Sequence, residues 1–294
     1  MSIINFIGNT PIVRLENPHG EKYGHIYVKL EEFNPGGSHK SRVAMQMIED
    51  AEVSGKLKKG DIILEATGGN TGIGLCIAAA IKGYHIVLTI PDTFSLQKNK
   101  LLQEYGAEVI LADHKLGNDC HIRKAIELAN NNANYYWIDQ FSNPSNPKAH
   151  YYGTGKEIFD QMQGNIDYFI AGVGSGGTIM GVGKRLKELK PKVKVIAVQP
   201  EGCDIRNGIY IPHKIEAIAV GKTGKFIDFN LINSYESVNY EEVIKLRQYL
   251  MKNHGLNVGI SAGANILVAL RISKEVDNQT NIVTIAADSG TIYL

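Results

Sequence analysis

A lysine follows a turn-forming sequence in the stretch FNPGGSHKSR, residues 33–42. Pro and Gly favour a turn here, and the residues after Lys40 have the apolar spacing of a helix. Most lysines are charged side chains on the protein surface. A lysine just inside such a turn has a second interpretation: it is a reactive amine beside the unpaired backbone N–H groups at the start of a helix. The residue types alone leave both interpretations open.

Three glycine-rich turns each follow a predicted strand and open a predicted helix. Their sequences are NPGGSHKSR, EATGGNTGIG and AGVGSGGTIMG. A helix N-terminus carries unpaired N–H groups and the positive end of the helix dipole, and a glycine turn lets an anion approach them closely. One such turn is as readily a tight strand-to-helix connection. Three in one chain favour binding sites for anionic groups.

Two sequences also resemble nucleotide-binding motifs. GVGSGG fits G-x-G-x-x-G through Gly172, Gly174 and Gly177, and Glu201 closes the next strand at the distance of a ribose-binding acid. An NAD-dependent oxidoreductase is therefore an alternative. The sequence GKT is discarded as a P-loop, because Glu216 stands where that motif requires glycine.

The elements that position these turns alternate along the chain. Short apolar runs such as IILEA, HIVLTI and DYFIAGVG are typical of strands, and KSRVAMQMIEDAEVSG has a helical pattern. Repeated strand, helix, strand order predicts an α/β protein with parallel sheets and helices on both faces. The 294 residues exceed a usual single domain. The polar stretch QFSNPSNPKAH at 140–150 favours a boundary between domains at 1–145 and 146–294.

The composition narrows the class of partner. With 31 Lys and Arg against 30 Asp and Glu, the chain has no charge signature for nucleic acid or an anionic membrane, so a small-molecule substrate is expected. The N-terminus MSIINFIGNTPIVRL lacks a signal-peptide pattern, and we expect a cytoplasmic protein. Three cysteines have neither zinc-site nor disulfide spacing, so no metal is expected and the thiols should be reduced and buried. They are Cys76, Cys120 and Cys203.

Four motifs, in this order, resemble those of the pyridoxal-phosphate enzymes with the tryptophan synthase β-subunit fold, in the branch of cysteine synthase and cystathionine β-synthase. They are NPGGSHKSR, TGGNTGIGL, GVGSGGTIMG and GISAGA, and the likeness runs from IGNTPIVRL to SGTIYL. The resemblance implies fold type II, with two α/β domains, each a mostly parallel twisted sheet flanked by helices. It places pyridoxal 5′-phosphate in the cleft between the domains and makes residues 40–140 the mobile part. The nicotinamide alternative explains one of the four motifs.

The resemblance also implies site residues. Lys40 would form the Schiff base with the cofactor and act as the catalytic base, and burial would favour its free amine. Asn70 would bind the 3′ oxygen of the cofactor. Ser261 would meet the pyridine nitrogen, where a hydroxyl favours elimination and replacement at the β-carbon over transamination. The phosphate would lie on Gly174, Ser175, Gly176, Gly177 and Thr178. The substrate carboxylate would lie on Thr67, Gly68, Asn70, Thr71 and Gln140.

The implied reaction is a β-replacement on an activated serine. O-acetylserine and sulfide would give cysteine and acetate through an aminoacrylate intermediate, in a cytoplasmic homodimer. Three alternatives share this chemistry: a cysteine lyase that releases hydrogen sulfide, a thiol-condensing enzyme like cystathionine β-synthase, and a synthase that uses O-phosphoserine. A catalytically silent binding module that retains the cofactor is an alternative from another class.

Two short sites depart from the family pattern. Gly68 replaces a serine of the substrate loop, which removes one hydroxyl contact and makes the loop more mobile. His39 and Ser41 flank Lys40 where Val and Asp are usual. The imidazole of His39 is either a group that titrates near neutral pH or a structural side chain.

The largest departure is the sequence AIAVGKTGKFIDF. Ala217 and Ala219 replace glycines, Lys222 and Lys225 are part of an insertion, and Asp228 stands where Pro is common. Two hypotheses follow: the lysines attract an anionic leaving group such as phosphate, or Asp228 is a catalytic acid that activates water or a thiol. All three charges are equally well explained as solvated loop residues.

Overall fold

Two sheets organise the computed structural model, which describes residues 2–293. The strands are β1 (Ile12–Leu15), β2 (His25–Leu30), β3 (Ile62–Glu65), β4 (His85–Pro91), β5 (Glu108–Ala112), β6 (Tyr135–Trp137), β7 (Tyr168–Gly172), β8 (Lys194–Pro200), β9 (Ser234–Val238) and β10 (Asn281–Ala286). The α-helices are α1 (Lys40–Val53), α2 (Asn70–Lys82), α3 (Leu96–Glu104), α4 (Cys120–Asn131), α5 (Ser145–Ala149), α6 (Gly155–Gln161), α7 (Gly177–Leu189), α8 (Tyr240–His254) and α9 (Ile260–Ser273). A π-helical turn at His150–Thr154 joins α5 to α6.

The strand pairing is mostly parallel, as predicted. Among residues 2–293, the smaller sheet has the order β5-β4-β3-β6 and the larger has the order β1-β2-β10-β7-β8-β9. Only the β1–β2 pair is antiparallel among these neighbours. The central strands are continuous apolar runs, such as the buried 86–90 of β4, because helices cover both faces of a parallel sheet.

The two sheets do not divide the chain at a single point. β1 and β2 lie in the larger sheet, where β2 pairs in parallel with β10, whereas β3 to β6 form the smaller sheet. The domain boundaries predicted at 1–145 and 146–294, and the mobile part predicted at 40–140, therefore remain predictions. β1 and β2 do not fit them, because both strands belong to the larger sheet. Met1 and Leu294, at their outer ends, lie outside the described residues.

Helix α1 carries Lys40 at its first position, as the turn sequence predicts. Gly36 and Gly37 have φ values of 80° and 73°, a left-handed backbone that glycine adopts without strain. Val43 and Met47 belong to the buried face of α1, which packs against α2. At the contact, a Cβ on Gly74 of α2 would lie 2.8 Å from the carbonyl of Lys40. Glycine there allows the start of α1 to lie directly against α2.

A buried ion network holds the first turn of α1. Arg42 donates to Glu31 and Glu157, with N···O distances of 2.6 Å in both ion pairs. Lys29 on β2 lies 2.7 Å from Glu157. Burial alone would raise the pKa of Glu157, but the hydrogen bonds from Arg42 and Lys29 lower it to about 2. The network links β2, α1 and α6 and fixes the helix that begins at Lys40.

In the described part of the chain, no helix combines the length and apolarity needed to cross a bilayer. The three cysteine thiols are buried, as predicted.

Candidate active site

A cavity of about 1300 Å³ lies between the two sheets, at the carboxyl ends of their strands. Ligands of open α/β sheets bind at such ends. Twelve of the thirteen predicted site residues line it, with Asp228 as the exception. They are Lys40, Thr67, Gly68, Asn70, Thr71, Gln140, Gly174, Ser175, Gly176, Gly177, Thr178 and Ser261.

The amine of Lys40 is the reactive group of this cavity. Burial lowers its pKa to about 8, and the carboxylates of Asp288 and Glu65 oppose that shift without cancelling it. A substantial fraction of the amine is therefore neutral near pH 8. A neutral amine is the form that attacks a carbonyl or accepts a proton from carbon.

The turn from β7 into α7 forms a cradle of backbone groups. Gly176 has φ 89°, and a Cβ on Gly174 would come within 2.3 Å of the carbonyl oxygen of Ala217. A Cβ on Gly177 would lie 1.9 Å from Oδ1 of Asn146. The Nδ2 of Asn146 donates to Oγ of Ser175 at 3.0 Å and fixes the loop. The cradle therefore requires glycines, and it presents the N-terminus of α7 to the cavity.

Two imidazoles flank Thr178 at the end of this cradle. Its Oγ1 lies 3.3 Å from Nδ1 of His39 and 3.3 Å from Nε2 of His150, whose Nδ1 lies 3.0 Å from Oγ1 of Thr154. Burial and then the charge of Lys40 lower the pKa of both histidines well below the usual value. His39 therefore does not titrate near neutral pH. His150 was missed, because NPKAH has no local pattern that marks it.

The predicted substrate loop lies opposite the cradle. It precedes α2, and Oγ1 of Thr71 donates to Oε1 of Gln140 at 2.8 Å. Nε2 of Gln140 lies 3.5 Å from Oε1 of Glu65. Burial, then the charge of Asp139, raises the pKa of Glu65 to about 7. Sequence reasoning missed Glu65, because a polar residue that closes a strand carries no sign of its burial.

The ring of Phe94 lies where a side chain at position 68 would be. A Cβ there would lie 2.5 Å from the ring of Phe94, which also lines the cavity. The aromatic ring therefore occupies the space in which the family's serine would stand.

We expect Gly68→Ser to raise the KM for the amino-acid substrate about threefold or more, because the added atoms displace Phe94 or the loop. Gly68→Ser/Phe94→Ala should recover most of that loss. Steady-state KM values of the four proteins, Phe94→Ala included, form a double-mutant cycle. Strictly additive effects would contradict the contact.

The stretch AIAVGKTGKFIDF, residues 217–229, which departs from the family pattern, contacts the cradle. The N–H of Ala219 donates to Val173 O at 2.8 Å, and the N–H of Gly224 donates to Ser175 O at 2.9 Å. Ala217 and Ala219 have φ values of 69° and 48°. These alanines keep the left-handed backbone for which the family uses glycine, at a cost of about 1–2 kcal/mol each.

The two inserted lysines have different surroundings. Lys222 lines the cavity and its Nζ lies 4.3 Å from the ring centre of Phe141, a cation–π contact. Lys225 is exposed and does not line the cavity.

Two predicted acids lie elsewhere. Asp228 is exposed, and its Oδ1 accepts from the N–H of Asn230 at 2.9 Å, capping a short 3₁₀ turn. The local backbone uses the carboxylate and Asp228 does not line the cavity, so nothing in its surroundings supports the catalytic role, which stays a prediction. Glu201 is also exposed and accepts from Asn239 at 3.0 Å, so it does not face the cavity as a ribose-binding acid would.

A partly neutral lysine and a glycine cradle that line one inter-sheet cavity are typical of an enzyme that holds a phosphate-bearing carbonyl cofactor. The family model for pyridoxal-phosphate dependent enzymes matches residues 3–288, and the chain belongs to this family. The predictions of the family, of fold type II and of pyridoxal 5′-phosphate as cofactor are confirmed.

The chain is similar over its whole length to several characterised relatives. A cysteine synthase of Staphylococcus aureus is 40% identical, over 100% of this chain and 95% of that protein. A hydrogen sulfide-producing enzyme from Fusobacterium nucleatum is 39% identical, with a TM-score of 0.94 over 100% of this chain and 97% of that one. An O-acetylserine dependent cystathionine β-synthase from Helicobacter pylori is 35% identical, with a TM-score of 0.90 over 100% and 96%.

The cavity residues fit the cofactor. The start of α7, a helix of 13 residues, lines the cavity together with the hydroxyl-bearing residues Ser175 and Thr178, and this set of backbone N–H and hydroxyl donors suits a phosphate. Lys40 supplies an amine for the aldehyde. Asn70 and Ser261 line the same cavity between these two points. We assign no basic side chain to the phosphate, because backbone N–H groups and hydroxyls suffice for it.

Proposed function

We propose that the protein is a cysteine synthase, which replaces the acetyl group of O-acetylserine with sulfide to give cysteine and acetate. One observation carries the proposal: the Lys40 amine, with a pKa of about 8, shares one cavity with two separate helix N-termini. The start of α7 suits the cofactor phosphate and the start of α2 suits the substrate carboxylate. The 40% identity to the S. aureus cysteine synthase supports the same reaction.

Each residue then has a stated task. When bound, pyridoxal phosphate supplies an electron sink for the bond broken at the α-carbon. Lys40 would hold the cofactor aldehyde until substrate takes its place, and its neutral amine would then take the α-proton and return it to the α-carbon after the new bond has formed. The acetate leaves the β-carbon with the C–O electron pair, and the sulfur of sulfide forms the new C–S bond.

The substrate loop orients the amino acid. The N–H groups at the start of α2 and the hydroxyls of Thr67 and Thr71 bind its carboxylate, and Gln140 fixes Thr71. Asn70 would bind the cofactor's 3′ oxygen, and Ser261 would meet its ring nitrogen, since both residues line the cavity. Movement of the loop toward the cradle would exclude water from the reacting centre.

The hydrogen sulfide-releasing, thiol-condensing and O-phosphoserine reactions remain alternatives within this mechanism. The 39% identical F. nucleatum enzyme favours the first, and the cavity position of Lys222 favours the anionic leaving group of the third.

A panel of substrates tests the proposal. O-acetylserine, O-phosphoserine, serine and cysteine are each supplied with and without sulfide or homocysteine, and products are identified by mass. We expect O-acetylserine with sulfide to have a kcat/KM at least about tenfold above every other pair, which corresponds to about 1.4 kcal/mol. A higher value for cysteine alone, or for O-phosphoserine, would replace the proposal with that alternative.

Asp228→Asn is expected to leave any sulfide release from cysteine within about twofold of wild type, because the exposed carboxylate does not face the cavity. The amide oxygen can still cap the turn, so unfolding free energy should also change little. Initial rates of sulfide release, with Lys225→Asn as a matched exposed control, check this. A tenfold loss in Asp228→Asn alone would restore Asp228 to the catalytic site.

A homodimer and a cytoplasmic location complete the proposal. Three buried free thiols are compatible with a reducing compartment. Light scattering of the purified chain measures the oligomeric state, and a monomeric mass would contradict the dimer.

A further inference from the structure

The segment after β10 touches three segments that hold predicted cofactor contacts, those that carry Lys40, Ser261 and Asn70. The carbonyl of Ala287 accepts from the N–H of His39 at 2.9 Å, beside Lys40. The carbonyl of Asp288 accepts from the N–H of Gly259 at 3.0 Å, just before the helix of Ser261. Its side chain reaches a third segment, the start of α2.

Asp288 makes these side-chain contacts from a buried position, with 1% of its surface exposed. Oδ2 accepts from Nδ2 of Asn70 at 2.7 Å and from the hydroxyl of Tyr293 at 2.7 Å. Oδ1 has no hydrogen-bond partner among the described residues. It lies against Gly259, where a Cβ would come within 1.9 Å of it, at the N-terminus of α9. A carboxylate there is stabilised by the helix dipole.

We propose that Asp288 is a positioning residue of the cofactor site, which orients the amide of Asn70 and supplies the main fixed negative charge facing the Lys40 amine. An acceptor-only carboxylate requires the NH₂ end of Asn70 to face it, so the amide cannot flip. The second N–H of that group is left for the oxygen of a cofactor. The inference rests on the proposed function only in taking Lys40 as the cofactor lysine.

The charges around the two groups fix the direction of the effect. Lys40 faces Asp288 and Glu65, which raise its pKa, and the buried imidazoles of His39 and His150.

Asp288 has its own neighbours. Burial raises its pKa, the hydrogen bonds from Tyr293 and Asn70 lower it, Arg247 also lowers it and Glu216 raises it. The hydrogen bonds that Asp288 accepts from Asn70 and Tyr293 stabilise its charged form, and that form raises the pKa of Lys40. Removing its charge must therefore lower the pKa of Lys40.

The test is the rate at which cofactor-free full-length protein takes up pyridoxal phosphate, followed by absorbance over a range of pH. For wild type the rate should rise with a midpoint near pH 8, as the Lys40 amine loses its proton. Asp288→Asn should shift that midpoint down by about 1 pH unit. Tyr293→Phe removes a contact to the same carboxylate and keeps its charge, so its midpoint should stay within about 0.3 units of wild type.

Asn70→Ala provides the second arm. It keeps the charge of Asp288 and should hold the midpoint, while the Kd for pyridoxal phosphate by equilibrium dialysis rises about tenfold, the loss of one hydrogen bond. A midpoint for Asp288→Asn that equals wild type, with wild-type circular dichroism, overturns the proposal. A Tyr293→Phe midpoint shifted as far as that of Asp288→Asn would also overturn it, and so would an unchanged Kd for Asn70→Ala. If Asp288→Asn does not fold, the Kd of Asn70→Ala decides the test.

This assay uses no amino-acid substrate. A wild-type protein that takes up the cofactor but converts no member of the substrate panel would contradict the proposed function and leave the test of Asp288 intact.

Discussion

Lys40→Arg is expected to lower kcat for β-replacement by about 10³-fold or more, the range of a lost general base combined with a lost covalent attachment. Arginine keeps the positive charge, but its guanidinium stays protonated at every usable pH and cannot supply the neutral amine that Lys40 has near pH 8. The measurements are steady-state kcat and the intact mass after borohydride reduction. Wild type should gain a cofactor adduct on reduction, and the variant should not.

Lys225→Arg is the matched control, because Lys225 is exposed and outside the cavity. Its kcat and its adduct should equal those of wild type within about twofold. If Lys40→Arg kept wild-type activity or still carried a reducible adduct, another amine would be the cofactor lysine. The proposed function and the assignment of Lys40 would then both fail.

The local parts of the site could be predicted from sequence, because each depends on a short run of neighbours. Proline and two glycines before Lys40 specify the turn that starts α1 at that residue. The glycines after β7 likewise specify the turn into α7. Continuous apolar runs separated by helical patterns were enough to predict a mostly parallel α/β fold.

Contacts between distant segments could not be predicted, because nothing local encodes them. β2 is an ordinary apolar strand, and only its pairing with β10 places it in the larger sheet. His150, Glu65 and Asp288 are equally ordinary in sequence. Glu65 and Asp288 line the cavity only because distant segments meet there, and His150 reaches Thr178 from another element.

At the departures from the family pattern, too, the sequence alone did not reveal the contact that decides a residue's role. From sequence, glycine at 68 indicates only the loss of a serine hydroxyl. In the fold, the ring of Phe94 from another part of the chain occupies the position of that side chain. Asp228 reads as a catalytic acid in an unusual segment, whereas a turn directly after it uses the carboxylate as a cap. In both cases a neighbour in space decides the role of the residue.

Gly177→Ala should weaken pyridoxal-phosphate binding at least about tenfold, which is about 1.4 kcal/mol, and destabilise the cofactor-free protein by about 1–3 kcal/mol. The new Cβ would lie 1.9 Å from Oδ1 of Asn146. Asn146 is completely buried and donates to Gln140 O at 2.8 Å and to Ser175 Oγ at 3.0 Å. It cannot withdraw without releasing the cradle and the residue that fixes Thr71.

Gly183→Ala on the same helix separates this effect from the helix itself. A Cβ there would meet the side chains of Leu231 and Val195 at 3.1 and 3.2 Å, and such side chains can shift slightly. Alanine also favours the helix by up to about 1 kcal/mol, so Gly183→Ala should change stability by less than about 1 kcal/mol and leave the Kd unchanged. Urea unfolding and equilibrium dialysis measure both quantities. A wild-type Kd for Gly177→Ala would contradict the assignment of the phosphate to the cradle that Asn146 supports.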